Sequence, residues 1–157
     1  MLQTRKGKTV RGDGLTKNKH EHKRMSTENN KSEYLLIFRG TDWDKGLSPE
    51  EIQKVTGEFM AWFQRLMQEG TAKTGQPLEH EGKIVSGKKG RTVADGPFAE
   101  SKEAIGGYFL LQVRNIDEAV AIAKQCPILE YGARVEVRPV AGECVSMRRA
   151  NEQLTAA

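Results

Sequence analysis

Apolar and polar positions divide the chain into strands and helices. Residues 34–38 form an unbroken apolar run of strand length, typical of a strand covered on one face. After Ser48, apolar residues recur every three or four positions, which predicts a long amphipathic helix. Ser48, Pro49 and Glu51 supply its N-cap, first-turn proline and capping-box acid, and Gly70 predicts its end. The apolar positions of this helix are Ile52, Val55, Phe59, Trp62, Phe63 and Leu66, and we expect the aromatic ones to be core residues packed against the sheet.

The remaining pattern predicts further strands. Residues 71–78 have strand character interrupted by Gly75 and Pro77. Two short runs, residues 82–86 and 91–93, flank a Gly-Lys-Lys-Gly segment, which predicts a hairpin with a basic tip. The most apolar strand follows at residues 108–113.

The C-terminal third adds a second helix and a last strand. Asn115 and Glu118 form a helix start, and Pro127 stops the helix. Residues 133–140 alternate as a strand with one buried face, and residues 141–157 predict a trailing tail with a helical turn at 147–154. The resulting order is the α+β split-βαβ arrangement, βαββαβ with an inserted hairpin.

Helices on one face of such a sheet leave the other face uncovered. A second copy is the simplest cover, so we expect a homodimer formed through the open sheet face. Two sheets packed in this way would give a dimeric α+β barrel with clefts at its rim.

Charge is concentrated at the N-terminus. Residues 1–24 carry eight Lys or Arg against two acids, whereas the rest carries 17 basic and 19 acidic side chains. We expect residues 1–33 to be a disordered basic tail, residues 34–140 the domain and residues 141–157 a C-terminal tail. The basic segment is either a nucleic-acid arm or an extension upstream of Met25 without a role in the domain's chemistry. The second interpretation is favoured, so nucleic acid is an unlikely partner.

Other patterns narrow the class of protein. No run of 18 apolar residues exists, so no membrane span is predicted. The absence of a secretory signal, with only Cys126 and Cys144, favours a cytoplasmic protein. His20 and His22 form a pair without further ligands. No metal or cofactor is expected.

The segment before the apolar strand combines turn chemistry with charge. Asp95-Gly96-Pro97 favours a defined turn, and the Glu100-Ser101-Lys102-Glu103 run follows it. One interpretation is a site built of an acid, a hydroxyl and an amine. The other is a well-made turn followed by a solvated charge run.

This segment carries a family resemblance. The run DGPFAESKE at residues 95–103, with GGY at 106–108, resembles the signature of DGPF-domain proteins of the YCII-related (YciI-like) superfamily. The likeness extends from the strand at 34–38 through LSPEE at 47–51 to residues 131–140. It implies a ferredoxin-like fold that dimerises, with a pocket near the motif aspartate. It does not imply one settled activity, although the gene neighbourhoods typical of the family suggest a stress or sigma-factor-linked role.

Three polar residues are candidates for the chemistry. Asp95, held by the turn over the open sheet face, would be partly buried and act as a base or hold a substrate; alternatively it caps the turn. His80 is either a general acid or base or an idle, solvent-exposed histidine. The resemblance implies a His–Asp pair in some members, for which His80 is the candidate. Arg39 would bind an anionic group or form a surface ion pair.

Further candidates surround these three. Phe98 and Tyr108 would wall a pocket, or else belong to the core. Glu100 and Ser101 would lie at its edge. Three functions remain open: a small enzyme or enzyme-like binder of a small molecule, a non-catalytic dimeric module that binds a metabolite or regulatory protein, and a nucleic-acid binder acting through the tail.

Overall fold

The structure, a computed structural model, describes residues 30–96 and 104–156. Within these ranges the chain forms six strands and three helices, with short 3₁₀ turns at Lys88–Gly90 and Pro127–Tyr131. The strands are β1 (Ser32–Arg39), β2 (Ala72–Pro77), β3 (Lys83–Ser86), β4 (Thr92–Asp95), β5 (Ile105–Val113) and β6 (Arg134–Pro139). The helices are α1 (Pro49–Gln68), α2 (Ile116–Ala123) and α3 (Val145–Thr155).

Four strands form the main sheet, in the spatial order β2-β5-β1-β6, and every neighbouring pair is antiparallel. Strands β3 and β4 pair only with each other, as a separate hairpin between β2 and β5 in the chain. The predicted α+β class is therefore confirmed. Neither sheet of the described residues closes into a barrel within one chain.

The sheet has two chemically different faces because strand side chains alternate. In β1, Leu36 and Phe38 are buried in the main core, and in β5 Phe109 and Leu111 join them. Both α1 and α2 contribute to this same core, so both helices lie on one face. The helix residues of the core are Val55, Trp62, Leu66, Ala119, Ile122 and Ala123.

Helix α1 begins and ends where the sequence predicts. The Ser48 side chain accepts a hydrogen bond from the Glu51 backbone N–H, and the Glu51 carboxylate accepts one from the Ser48 N–H at 2.7 Å. This reciprocal pair satisfies two backbone donors that a helix start leaves unpaired. At the other end Gly70 adopts φ +68°, a left-handed conformation that glycine takes without strain.

The second helix is also capped as expected. The Asn115 side chain accepts a hydrogen bond from the Glu118 N–H at 2.9 Å. The Glu118 carboxylate in turn accepts a hydrogen bond from the Arg114 backbone N–H, which is the main reason that its pKa is lowered. These contacts fix the turn that carries the chain from β5 into α2.

The C-terminal residues form more structure than a trailing tail with one helical turn. Helix α3 extends over eleven residues, Val145–Thr155, and all of them are exposed. Its apolar side chains include Met147 and Leu154. Across the ranges that the structure describes, no helix combines the length and apolar character needed to cross a membrane.

Candidate functional site

A cleft of about 330 Å³ opens between α1 and one end of the main sheet. That end is formed where β1 and β2 finish and β5 begins, since Arg39 pairs with Ile105 and Pro77 pairs with Gly107. The cleft therefore collects residues from three strands, α1 and the 3₁₀ turn that holds Ile128. Its volume lies at the lower end of the roughly 300–1,000 Å³ typical of small-molecule sites.

Aromatic rings form the inner wall of the cleft. Phe63 of α1 stacks on Phe109 of β5, with ring centroids 4.2 Å apart and an interplanar angle of 29°. Phe38 meets Phe109 edge to face at 4.7 Å and Phe59 at 5.3 Å. Phe59 and Phe63, expected as core residues, are partly buried and also line the cleft. Trp62 is core, as expected.

Glycines allow this wall to form. Gly75 lies directly opposite Phe109 across the β2–β5 pairing. A Cβ at Gly75 would come within 3.0 Å of Phe63 Cε2 and 2.9 Å of Phe109 Cε1. At Gly107 it would lie 2.8 Å from the backbone oxygen of Gln76. A side chain at either position would collide with the cleft wall or the strand beside it.

Polar groups gather at the sheet end of the cleft. Arg39, Thr41, Gln76 and His80 all line it, and His80 follows β2 on an exposed loop. The Arg39 Nε donates a hydrogen bond to Glu136 at 2.7 Å. Two sequence candidates, Arg39 and His80, border the cleft, but the Arg39 guanidinium forms its ion pair with Glu136, which strand alternation places on the sheet face opposite the aromatic wall.

Asp95 lies elsewhere in the described structure. It ends β4 in the separate hairpin, where its carboxylate forms an ion pair with Lys83 of β3. Its side chain is 77% exposed, whereas the turn sequence predicts partial burial over the open sheet face. Asp95 is not among the cleft-lining residues that the structure describes. An exposed ion pair of this kind contributes only about 0–1 kcal/mol to stability.

The other candidates are separated from the cleft or lie beyond the described ranges. Tyr108 is half-buried on β5, opposite Ile37 of β1. Because it alternates with the core residue Phe109, it belongs to the face without helices. Phe98, Glu100 and Ser101 fall in residues 97–103, outside the described part of the chain.

The cysteines differ in reactivity. Burial raises the pKa of the Cys126 thiol to about 11. The exposed Cys144 precedes α3, and hydrogen bonds from the backbone N–H groups of Met147 and Ser146 lower its pKa. In the two described ranges, no group of three or more His, Cys, Asp or Glu is placed to hold a metal ion.

Comparison with known proteins identifies the class to which this α+β chain belongs. The YCII-related domain family matches residues 24–141, about three quarters of the chain. The protein is a member of the YCII-related family, as the resemblance of its motifs implied. No curated protein matches the chain.

Several cleft residues were not identified from the sequence as site residues. Trp43, Met60, Gly75 and Gln76 line the cleft but carry no motif. Only Gly75 had a usable signal, because a glycine inside a strand often marks a close approach of another group. The others are brought to the cleft by packing alone.

Proposed function

We propose that this protein binds a small molecule in the cleft beside α1 and works as a homodimer. The observation that carries the binding proposal is the combination of an aromatic wall with Thr41 and His80 at one end of the cleft. An apolar pocket with a few convergent polar groups is the usual form of a small-molecule site. His80 would serve as the general acid or base if the ligand is turned over.

The dimer proposal rests on the face of the sheet that the helices leave uncovered. Leu35 pairs with Leu110, and Ile37 pairs with Tyr108, so four apolar side chains lie together on that face. Ile37 is already buried in the single chain, and the other three are half-buried. Arg138 and Glu136 are their neighbours on β6. An apolar centre with a charged border is typical of a protein interface. Two copies joined there would form the ferredoxin-like dimeric α+β barrel that the family resemblance implies.

The motif aspartate enters this proposal through the chain that follows it. Asp95 precedes residues 97–103, and the chain then returns to the cleft at Gly106 and Gly107. Asp95 does not itself line the described cleft, so a role in ligand binding would be exerted through the segment that connects it to these glycines. Asp95→Asn tests it, because loss of an exposed ion pair should leave the protein folded.

The binding proposal is tested by filling the cleft without disturbing the core. Met60 of α1 lines the cleft and is 46% exposed, and Met67 on the same helix is 41% exposed but does not line it. Met60→Trp and Met67→Trp therefore add the same bulk to two similar positions. We expect a thermal-shift screen of a metabolite library to find compounds that stabilise the wild type and Met67→Trp, but not Met60→Trp.

Chromatography of each compound after incubation with the protein then separates binding from turnover. Compounds that stabilise both variants equally would contradict the proposed site. The absence of any compound in a broad library that stabilises the wild type would also contradict the proposed site.

The hairpin supports a second candidate function, a non-catalytic dimeric module that binds a regulatory protein. Val85 and Val93 are 64% and 62% exposed, and Ile84 is also exposed. Lys88 and Lys89 lie at the tip between them. An exposed apolar surface beside positive charge is a feature of protein-binding surfaces. A folded dimer that is silent in the ligand screen would favour this function over the first.

A further inference from the structure

The accessible rings of the aromatic wall belong to α1. Phe38 and Phe109 are buried, whereas Phe59 and Phe63 are half-buried. The buried rings hold the half-buried ones in place, since Phe63 stacks on Phe109 and Phe59 meets Phe38 edge to face. A ligand in the cleft would therefore contact Phe59 and Phe63. Such rings favour offset-stacked or edge-to-face contact with another aromatic ring.

Two further side chains extend this apolar surface. Met60 of α1 lines the cleft and is 46% exposed. Trp43, on the loop after β1, also lines it and meets Tyr131 edge to face with ring centroids 6.2 Å apart. A thioether sulfur makes favourable contacts with aromatic rings, so Met60 suits a ring-shaped ligand as well.

The charged groups of the lining face away from this wall. Among the lining residues that the structure describes there is no Asp, Glu or Lys, and the basic ones are Arg39 and His80. The Arg39 guanidinium is bonded to Glu136 on the opposite face of the sheet. Gln76 pairs with Tyr108, so its side chain belongs to that opposite face too. His80 lies on an exposed loop, where water solvates it.

A charged ligand would lose hydration in this cleft without gaining a buried partner of opposite charge. Transfer of an ion from water to an apolar environment is costly unless the ion is paired and hydrogen-bonded. An uncharged hydroxyl or amide group costs less to transfer, and one hydrogen bond offsets much of that cost. Thr41 and His80, at the end of the cleft, carry groups that can form such a bond.

Resting on the function proposed above, we infer that the cleft binds an uncharged aromatic compound of one or two rings. The ring packs against Phe59, Phe63 and Met60, and a hydroxyl, carbonyl or amide group of the ligand bonds to Thr41 or His80. The volume of about 330 Å³ limits the ligand to this size, since it is near the lower limit for ligand pockets of roughly 300 Å³.

Isothermal titration of the full chain at pH 7.5 with four matched probes tests this inference. The probes are neutral 2-naphthamide, the anion 2-naphthoate, the cation 2-naphthylmethylammonium and the saturated decahydro-2-naphthamide. We expect 2-naphthamide to bind at least about tenfold more tightly than either ion, because the ions lose hydration without compensation. It should bind roughly three- to tenfold more tightly than the saturated amide, the ratio expected for one aromatic pair.

A charge placed in the lining should change this preference. Met60→Lys adds a cation beside the aromatic wall, whereas Met67→Lys adds the same charge to α1 outside the cleft. We expect the affinity for 2-naphthoate relative to 2-naphthamide to rise about tenfold in Met60→Lys, a factor typical of one charge-assisted hydrogen bond. Met67→Lys should keep the wild-type ratio. The same ratio in both variants would overturn the inference that the lining sets the charge preference.

The outcomes separate the ligand class from the binding site. An ion that binds the wild type as tightly as 2-naphthamide would overturn the requirement for a neutral ligand, and equal affinity for the saturated amide would overturn the aromatic requirement. If 2-naphthamide fails to bind, while other compounds are lost specifically in Met60→Trp, the ligand class is wrong and the site stands. If no compound depends on Met60, the proposed site itself is wrong.

Discussion

Gly75→Ala is the substitution with the clearest expected effect on the cleft wall. Gly75 faces Phe109, and an added methyl group would press on the rings of both Phe109 and Phe63. Phe109 also contacts Phe38, Phe59 and Trp62, with centroid distances of 4.7, 5.5 and 5.4 Å, so its ring has little room to move aside.

The expected change in the free energy of unfolding of Gly75→Ala is the difference between two opposing effects. Overpacking a core by one methyl group costs about 1–3 kcal/mol. Replacing glycine by alanine restricts the unfolded chain, which stabilises the folded protein by about 0.4–1 kcal/mol. We therefore expect Gly75→Ala to lower the free energy of unfolding by about 1–2 kcal/mol.

Gly57→Ala is the matched control. Gly57 lies in the middle of α1, and a Cβ there would meet no atom within 4 Å. Because alanine is favoured over glycine in a helix by about 1 kcal/mol, this substitution should stabilise the protein. The two alanine variants should therefore differ by about 2–3 kcal/mol, with opposite signs relative to wild type.

Urea denaturation followed by far-ultraviolet circular dichroism measures both values. All proteins must be compared at one concentration, because the stability of the proposed dimer would depend on concentration. An unchanged dependence on urea would show that the same surface is exposed on unfolding. If Gly75→Ala proved as stable as Gly57→Ala, the rings would be free to shift, and the aromatic wall would not be the rigid surface described here.

Three further predictions concern other parts of the chain. Leu110→Arg on the open sheet face should convert the proposed dimer to a folded monomer in light scattering after gel filtration, whereas Met67→Arg should leave the wild-type mass. An unchanged mass for both would exclude this interface. Asp95→Asn should change the free energy of unfolding by less than about 1 kcal/mol, since it removes one exposed ion pair; complete unfolding in circular dichroism would instead make Asp95 an essential turn residue. At pH 8, iodoacetamide should alkylate Cys144 much faster than Cys126. The lowered pKa of Cys144 favours its thiolate, whereas the pKa of about 11 keeps Cys126 protonated. Equal alkylation rates by mass spectrometry would contradict the burial of Cys126.

The positions of the candidate site residues show what local sequence patterns can and do not predict. Chemical type singles out His80 and Arg39, and both border the cleft, yet the guanidinium of Arg39 is bonded to Glu136 on the other face of the sheet. Tyr108 was considered for a pocket wall, but strand alternation with Phe109 places it on the opposite face. Asp95 was expected over that open face, yet the hairpin pairing holds it beside Lys83 with its carboxylate exposed. The direction of each side chain depended on a register that the sequence alone does not state.

The local sequence specifies where the first two helices begin. The capping residues Ser48 and Asn115 act on backbone groups three residues away, so their effect is written in the local sequence. The apolar periodicity likewise marks which side of α1 meets the sheet, because Val55, Trp62 and Leu66 share one face of a helix.

Only the tertiary structure decided the cleft. Phe63 and Phe109 stack although 46 residues separate them, and Gly75 meets both only because β2 pairs with β5 in this register. Which side chains converge depends on strand order and helix packing, which arise from contacts between distant segments. For this reason the local pattern predicts the strands and the helix that form the cleft, whereas their arrangement around it depends on the fold.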